Sequence, residues 1–266
     1  MNFKIRGNDF MRHYTGQSKR SRAVVIIVVL ACVYLVLAII SLLSRNKSAK
    51  ANAVSEGDSS EPLQYEIAVS SEDTESWMLI LVNRWNPAPD NYEKGIEFVK
   101  LKYDQAVDER IYPDLQQMMD DCRAEGLKPM VCSGYRSIEK QTQLFNAKVK
   151  EYLNQGYSKE KARSEAEQWV AVPDTSEHHL GIAVDIISEN YQYLDEKQEQ
   201  TAEQQWLLKN CWKYGFILRY PSDKSELTGI HYEPWHYRYV GKTVAEYITK
   251  NNLCLEEYLK IADTEK

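Results

Sequence analysis

The 266-residue sequence predicts an α+β fold, a single domain with a small, mostly antiparallel sheet and flanking helices. Short apolar runs such as Pro129–Ser133 and Ile182–Ile187 are typical of buried strands, and capped helical stretches lie between them. Strands and helices do not alternate in a regular βαβ rhythm, which argues against a parallel sheet. Apolar residues at 43% exclude a fully disordered chain, and a net charge of −6 argues against nucleic-acid binding through a basic surface.

An uncharged apolar run, residues 23–43, precedes this domain and predicts one transmembrane helix. As a helix the run would span roughly 31 Å, about the thickness of a bilayer hydrocarbon core. The alternatives are a cleavable signal peptide, whose apolar region is shorter, and a buried core helix. Residues 1–22 hold six Lys or Arg against Asp9, so we expect a basic cytoplasmic tail and an extracytoplasmic domain.

Residues 44–76 predict a flexible linker between this anchor and the folded domain. They are rich in Ser, Ala, Glu and Asp and contain few large apolar side chains. The domain is therefore expected over residues 77–266. Its cysteines lie far apart and form no CxxC pair, so we expect small buried side chains, with disulfides as the alternative. They are Cys122, Cys132, Cys211 and Cys254.

Within the domain, apolar periodicity and capping residues predict the elements one by one. Gly126 and Gly215 are typical helix stops, Ser137 is a typical N-cap, and Thr201 with Gln204 forms a capping box. In chain order we predict a strand at Met78–Val82 followed by a turn at Asn86–Pro89, a helix at Asp108–Ala124, a strand at Pro129–Ser133, a helix from Ser137, a charged helix from Ser158 to about Val170, a strand at Ile182–Ile187, a helix from Thr201 to Gly215, strands at Phe216–Tyr220 and Trp235–Val240, and a helix capped by Thr243 and Glu246.

A cluster of histidines near carboxylates indicates a metal site in this domain. Four histidines fall within residues 178–236: His178, His179, His231 and His236. Neutral imidazole and carboxylate are ligands that a zinc ion accepts, and three protein ligands with one open position are typical of catalytic zinc. His178, Asp185 and His236 would supply three such ligands and leave Glu233 free as a general base. His179 and His231 are the alternative ligands.

Three motifs carry a resemblance to a known family. Ser176–Asp185 reads S-x-H-x-x-G-x-A-x-D, Glu233–Gly241 reads E-P-W-H-x-R-Y-V-G, and Ser133–Ser137 reads S-G-Y-R-S. In this order they resemble the VanY-type D-alanyl-D-alanine carboxypeptidases, which are zinc-dependent peptidoglycan peptidases. The resemblance covers roughly Leu79–Tyr247.

The resemblance implies a zinc peptidase that removes the C-terminal D-alanine from peptidoglycan stem peptides. An L,D-carboxypeptidase or a cross-link endopeptidase of the same family is the alternative, and a non-catalytic zinc-bearing cell-wall protein is a third possibility. The expected location is a bacterial membrane, with the catalytic domain outside the cytoplasm. The implied residues are His178, Asp185 and His236 as zinc ligands, Glu233 as catalytic base, Arg136 facing the reacting carbonyl, and Ser176, Gln141 and Tyr220 as substrate contacts.

Overall fold

A computed structural model of the chain describes residues 77–264. These residues form the predicted mixed domain, with small antiparallel sheets and flanking helices. The predicted basic tail (1–22), transmembrane helix (23–43) and linker (44–76) lie outside the described residues. Within residues 77–264, no helix is both long enough and apolar enough to cross a membrane.

The strands have three to six residues, and the α-helices have four to 17. The strands are β1 Phe98–Lys100, β2 Ala106–Asp108, β3 Pro129–Ser133, β4 Ala183–Ser188, β5 Phe216–Leu218 and β6 His236–Tyr239. The α-helices are α1 Tyr112–Ala124, α2 Ile138–Asn154, α3 Lys159–Ala166, α4 Ala202–Asn210, the single-turn α5 Ser225–Thr228, α6 Lys242–Lys250 and α7 Leu255–Thr264. A 3₁₀ turn at Glu177–Leu180 leads into β4.

The larger sheet has the strand order β3–β4–β6–β5, with antiparallel neighbours throughout. In the β4–β6 pair, Val184 lies opposite Tyr237, and Asp185 lies opposite His236. Successive side chains of a strand point to opposite faces. Val184 and Tyr237 belong to the apolar core, so Asp185 and His236 point away from it, side by side.

The main apolar core lies where α1 and α4 contact β3 and β4. Leu115 and Met118 of α1 and Leu207 of α4 are buried there. Gln204 fastens α4 to the sheet, since it accepts a hydrogen bond from Tyr237 Oη at 2.6 Å and donates to the carbonyl of Ile186. The core thus supports the strands that carry the site.

Gly134 allows the chain to pass close to β2 after it leaves β3. A Cβ atom at Gly134 would overlap the carbonyl oxygen of Ala106, so no other residue fits without a shift of the backbone. The N–H of Tyr135 donates to that same oxygen at 2.6 Å. This close approach fixes the position of the Gly134 carbonyl.

Several predicted elements are confirmed with their caps. The hydroxyls of Ser137, Ser158 and Thr201 accept backbone N–H groups at 3.2, 3.3 and 3.2 Å and begin α2, α3 and α4. The strand at Pro129–Ser133 has its predicted bounds, while α3 ends at Ala166, before Val170. Strands β5 and β6 are shorter than predicted. The helix predicted from Asp108 begins as a 3₁₀ turn at Glu109–Ile111 and becomes α-helical at Tyr112, because Asp108 ends β2.

The strand predicted at Met78–Val82 is wrong. Residues Trp77–Leu79 form a 3₁₀ turn. The carbonyls of Met78 and Ile80 both accept from the guanidinium of Arg238 at 2.8 Å, rather than from a neighbouring strand. Arg238, 158 residues after Ile80 in the sequence, therefore supplies hydrogen bonds to the carbonyls of this segment.

Two other local predictions are wrong. The tight turn that follows lies at Asn83–Asn86, where the backbone N–H and C=O groups of the two asparagines pair and Asn83 Oδ1 accepts from the N–H of Trp85. Helix α6 begins at Lys242, directly after Gly241, so Thr243 lies inside the helix instead of capping it.

The expected burial of the cysteines is confirmed for three of the four. Cys122, Cys132, Cys211 and Cys254 are all free. Cys132 is partly exposed and the other three are buried. Burial raises the pKa of Cys122 and of Cys211 to about 12, so these two behave as small apolar side chains.

Candidate metal centre

Three predicted ligands meet on the face of the sheet that points away from the core. Asp185 is on β4, His236 begins β6 opposite it, and His178 comes from the 3₁₀ turn before β4. One ligand atom of each lies within 4.8 Å of the others. His178 Nε2 is 3.3 Å from Asp185 Oδ2, and His236 Nδ1 is 3.1 Å from Asp185 Oδ1.

The two imidazoles present different nitrogens to this centre. His178 Nδ1–H donates to the carbonyl of Gly134 at 2.8 Å, which leaves Nε2 as its acceptor atom. His236 turns Nδ1 towards Asp185 and Nε2 towards Glu177. Each histidine therefore has one nitrogen at the centre and the other directed at a protein acceptor, as metal ligands do.

The residues present fit a divalent zinc ion. His178, Asp185 and His236 are 3%, 4% and 4% exposed. Within residues 77–264, the buried Asp185 Oδ1 has no hydrogen-bond partner, and a buried carboxylate oxygen requires a donor or a cation. Two imidazole nitrogens and one carboxylate oxygen match the three protein ligands of a catalytic zinc site.

The ionisation of the site follows from burial and from neighbouring charges. Burial, with the nearby Arg136, lowers the pKa of His178 to about 4. Burial opposes the charged form of His236 as well, but the adjacent carboxylates of Asp185 and Glu177 raise its pKa to about 9. A bound cation would oppose that second shift, because metal ligation requires the neutral imidazole.

Glu233 lies beside the three ligands without joining them. Its Oε2 is 3.6 Å from His236 Nδ1, and its backbone N–H donates to the carbonyl of Tyr220 at 3.2 Å. Burial raises the pKa of Glu233 to about 8, with Asp185 adding to the effect and His236 and Arg136 opposing it. A cation held by the neighbouring ligands would oppose this rise, because it favours the charged carboxylate.

Arg136 is held in a fixed orientation next to Asp185. It donates to Ser133 Oγ at 2.7 Å, to Gln141 Oε1 at 2.8 Å and to Asp185 Oδ2 at 3.3 Å. Gln141 is buried, and its amide nitrogen donates to the carbonyl of Ala171 at 2.6 Å. The structure thus gives Gln141 contacts that orient Arg136, in addition to its place in the cavity wall.

A cavity of about 360 Å³ opens over the candidate centre. Its lining includes the three candidate ligands, Glu233, Arg136 and the other predicted contact residues Ser176, Gln141 and Tyr220. The Tyr220 ring centroid is 4.7 Å from that of His236. All eight predicted site residues therefore line one cavity.

The two alternative histidines lie elsewhere. His179 directs Nδ1 at the carbonyl of Arg136 at 2.6 Å, and the ring of His231 lies 4.6 Å from that of Trp169. Among residues 77–264, the group that could hold a metal ion includes neither of them.

Sequence reasoning missed the groups that face the outer nitrogens of the two histidine ligands. Glu177 is completely buried and bonded to Arg219 and Arg238, and the Gly134 carbonyl accepts from His178. The available signal was an arginine in each of two aromatic-rich runs that predict strands, since a buried arginine requires an acidic partner.

Comparisons with known proteins point to one family. The family model described as D-alanyl-D-alanine carboxypeptidase, VanY, matches residues 104–242. A D-alanyl-D-alanine carboxypeptidase from Enterococcus faecalis (strain ATCC 700802 / V583) is 46% identical over 212 residues, which cover 79% of this chain and 75% of the relative.

Solved structures agree with these sequence comparisons. A mutant of the vancomycin resistance D,D-pentapeptidase VanY from the VanB-type resistance cassette, in complex with Zn(II), is 48% identical with a TM-score of 0.63 and covers 69% of this chain and 99% of that one. VanYB in complex with D-alanine-D-alanine is 48% identical with a TM-score of 0.64 and covers 70% of this chain and 98% of that one.

Proposed function

This chain belongs to the VanY family of D-alanyl-D-alanine carboxypeptidases, and we propose that it removes the terminal D-alanine of peptidoglycan stem peptides through a zinc site formed by His178, Asp185 and His236. It is a D-alanyl-D-alanine carboxypeptidase whose cofactor is Zn²⁺.

The proposal rests on the buried group of three candidate ligands in the lining of the cavity. Three donor atoms on separate segments converge within 4.8 Å, and Glu233 and Arg136 line the same cavity. The bound D-alanine-D-alanine in VanYB supports a D-alanine-terminated peptide as the substrate class here.

The reaction is hydrolysis of the last peptide bond. When bound, the zinc ion supplies Lewis acidity that makes water nucleophilic near neutral pH. Glu233 accepts a proton from the attacking water and later delivers it to the amine of the departing D-alanine. Its side chain is suited to this shuttle, because it lies beside the ligands without being one of them.

Arg136 stabilises the negative charge that develops on the attacked carbonyl oxygen. Its bonds to Ser133 and Gln141 fix the guanidinium before substrate arrives, which is the condition for electrostatic stabilisation of a transition state. Ser176 and Tyr220, which line the cavity, contact the substrate.

The full chain is a single-pass membrane protein in this proposal. Residues 1–22 form the cytoplasmic tail, 23–43 the anchor, 44–76 the linker and 77–266 the catalytic domain outside the cytoplasm. The apolar run and the basic residues before it support this arrangement. In fractionated bacterial cells, the full chain should pellet with membranes and a chain lacking residues 1–43 should not. Recovery of both in the soluble fraction would contradict the anchor.

The activity is tested with synthetic stem peptides. The full-length protein is incubated with a pentapeptide ending in D-Ala-D-Ala and with the corresponding tetrapeptide, with and without a chelator, and loss of alanine is followed by mass spectrometry. We expect chelator-sensitive trimming of the pentapeptide alone. Trimming of the tetrapeptide alone would indicate an L,D-carboxypeptidase. Zinc binding without trimming of either would leave cross-link cleavage or a binding protein, which cross-linked dimeric stem peptides would distinguish.

A further inference from the structure

A cluster of four buried charges lies directly behind the candidate ligand His236. Its members are Glu177, Arg219, Arg238 and Glu256. Glu177 Oε1 accepts from Arg219 Nε at 2.7 Å and from Arg238 Nη1 at 2.6 Å. Arg219 also donates to both oxygens of Glu256, at 2.9 and 2.7 Å. Two cations and two anions balance, but buried ion pairs are weak evidence for stability, so the cluster calls for a further explanation.

One carboxylate oxygen, Glu177 Oε2, accepts no hydrogen bond from the other members of the cluster and faces His236. Within residues 77–264, Glu177 Oε2 and His236 Nε2 are both buried atoms with no hydrogen-bond partner. They lie 3.5 Å apart, so each is the natural partner of the other. A carboxylate only accepts, and a neutral imidazole can donate from one nitrogen alone. Nε2 of His236 therefore carries the hydrogen, and the lone pair is on Nδ1, which is directed at Asp185.

We propose that Glu177 is a positioning residue that accepts the Nε2–H of His236 and thereby presents Nδ1 of that histidine to the zinc ion. The inference rests on the zinc site proposed above. Arg219 and Arg238 hold Oε1 from two directions, which aims Oε2 at the imidazole. Carboxylates in this outer position orient a metal-bound histidine and increase the basicity of its ligating nitrogen.

The first test is zinc affinity, measured by chelator competition on the full-length protein. Glu177→Gln keeps the size of the side chain but removes the carboxylate, and zinc affinity should fall by about 10–100-fold. Glu256→Gln is the matched control: it weakens the same cluster through Arg219 without contact to His236. Its zinc affinity should stay within about threefold of the wild type, a change below the ~10–100-fold that loss of an outer-shell partner costs. Equal loss in both variants, or no loss in Glu177→Gln, would overturn the inference.

The second test uses the wild-type protein, so it holds even if Glu177→Gln does not fold. Imidazole nitrogen NMR of the zinc-loaded protein, assigned by loss of the signal in His236→Gln, should show a protonated Nε2 and a metal-bound Nδ1 in His236. Zinc bound to Nε2, with Nδ1 protonated, would overturn the role of Glu177 and leave the zinc site standing. Failure of the wild-type protein to bind zinc would overturn the proposed site, and this inference with it.

Discussion

The two segments that supply the candidate ligands hold their histidines by different means. His178 comes from a 3₁₀ turn, and its outer nitrogen donates to a backbone carbonyl, that of Gly134. His236 begins a strand, and its outer nitrogen faces the carboxylate of Glu177, which two arginines hold. One ligand is thus oriented by chain geometry and the other by buried charge. We therefore expect a backbone change at Gly134 to disturb His178, and a change of charge at Glu177 to disturb His236.

Removal of either histidine gives the largest expected effect on zinc. In His178→Ala and His236→Ala, zinc affinity should fall by more than the ~10–100-fold that loss of an outer-shell partner costs. His179→Ala and His231→Ala are the matched controls, because neither side chain belongs to the ligand group, and both should retain zinc. Zinc titration of the four proteins would contradict the ligand choice if His231→Ala lost zinc as strongly as His236→Ala.

Glu233→Gln should separate the two roles that lie within residues 233–236. The variant removes the proton acceptor but leaves His236 in place, so kcat should fall by about 10²–10⁴-fold while zinc is kept. Kinetics on the pentapeptide and zinc content by mass spectrometry check this. Loss of zinc from the variant would mean that Glu233 is a ligand.

Arg136→Lys should reduce catalysis with little effect on the metal. Lysine keeps the charge but cannot donate to Ser133 and Gln141 with the planar geometry of a guanidinium. Loss of one donor to a developing oxyanion costs about 10²–10³-fold in kcat, and that is the loss we expect. An unchanged kcat would exclude the assigned role of Arg136.

Gly134→Ala should have the smallest effect on activity. It should shift the Gly134 carbonyl, which accepts the hydrogen bond that orients His178. The added Cβ would overlap the Ala106 carbonyl, so we expect about 1–3 kcal/mol of destabilisation in chemical denaturation, as for overpacking. Gly95→Ala is the control, since nothing lies within 4 Å of its Cβ position and stability should barely change. The same loss of stability in both variants would show that the close approach at Gly134 carries no strain.

The candidate site could be predicted from the sequence to the extent that it depends on short segments. Ser176–Asp185 and Glu233–His236 each hold their functional residues within ten residues, and the spacing indicates which side chains can converge. Their proximity to each other follows from the β4–β6 register, which puts Asp185 opposite His236. The structure brings the predicted residues together, while their individual roles stay predictions.

The supporting contacts could not be predicted, because they join distant parts of the chain. Glu177 meets Arg219 and Arg238 across 42 and 61 residues, and neither spacing has a periodicity that identifies a partner. The failed strand at Met78–Val82 has the same cause. The short apolar run favours a strand there, but Arg238 supplies the hydrogen bonds that a neighbouring strand would have supplied.

The most direct test of the central claim is a crystal structure of the zinc-loaded protein with anomalous scattering recorded at the zinc edge. The account predicts one peak at about 2.0–2.2 Å from His178 Nε2, His236 Nδ1 and an oxygen of Asp185. A peak bound to His179 or His231, or one that lacks Asp185, would contradict the proposed site.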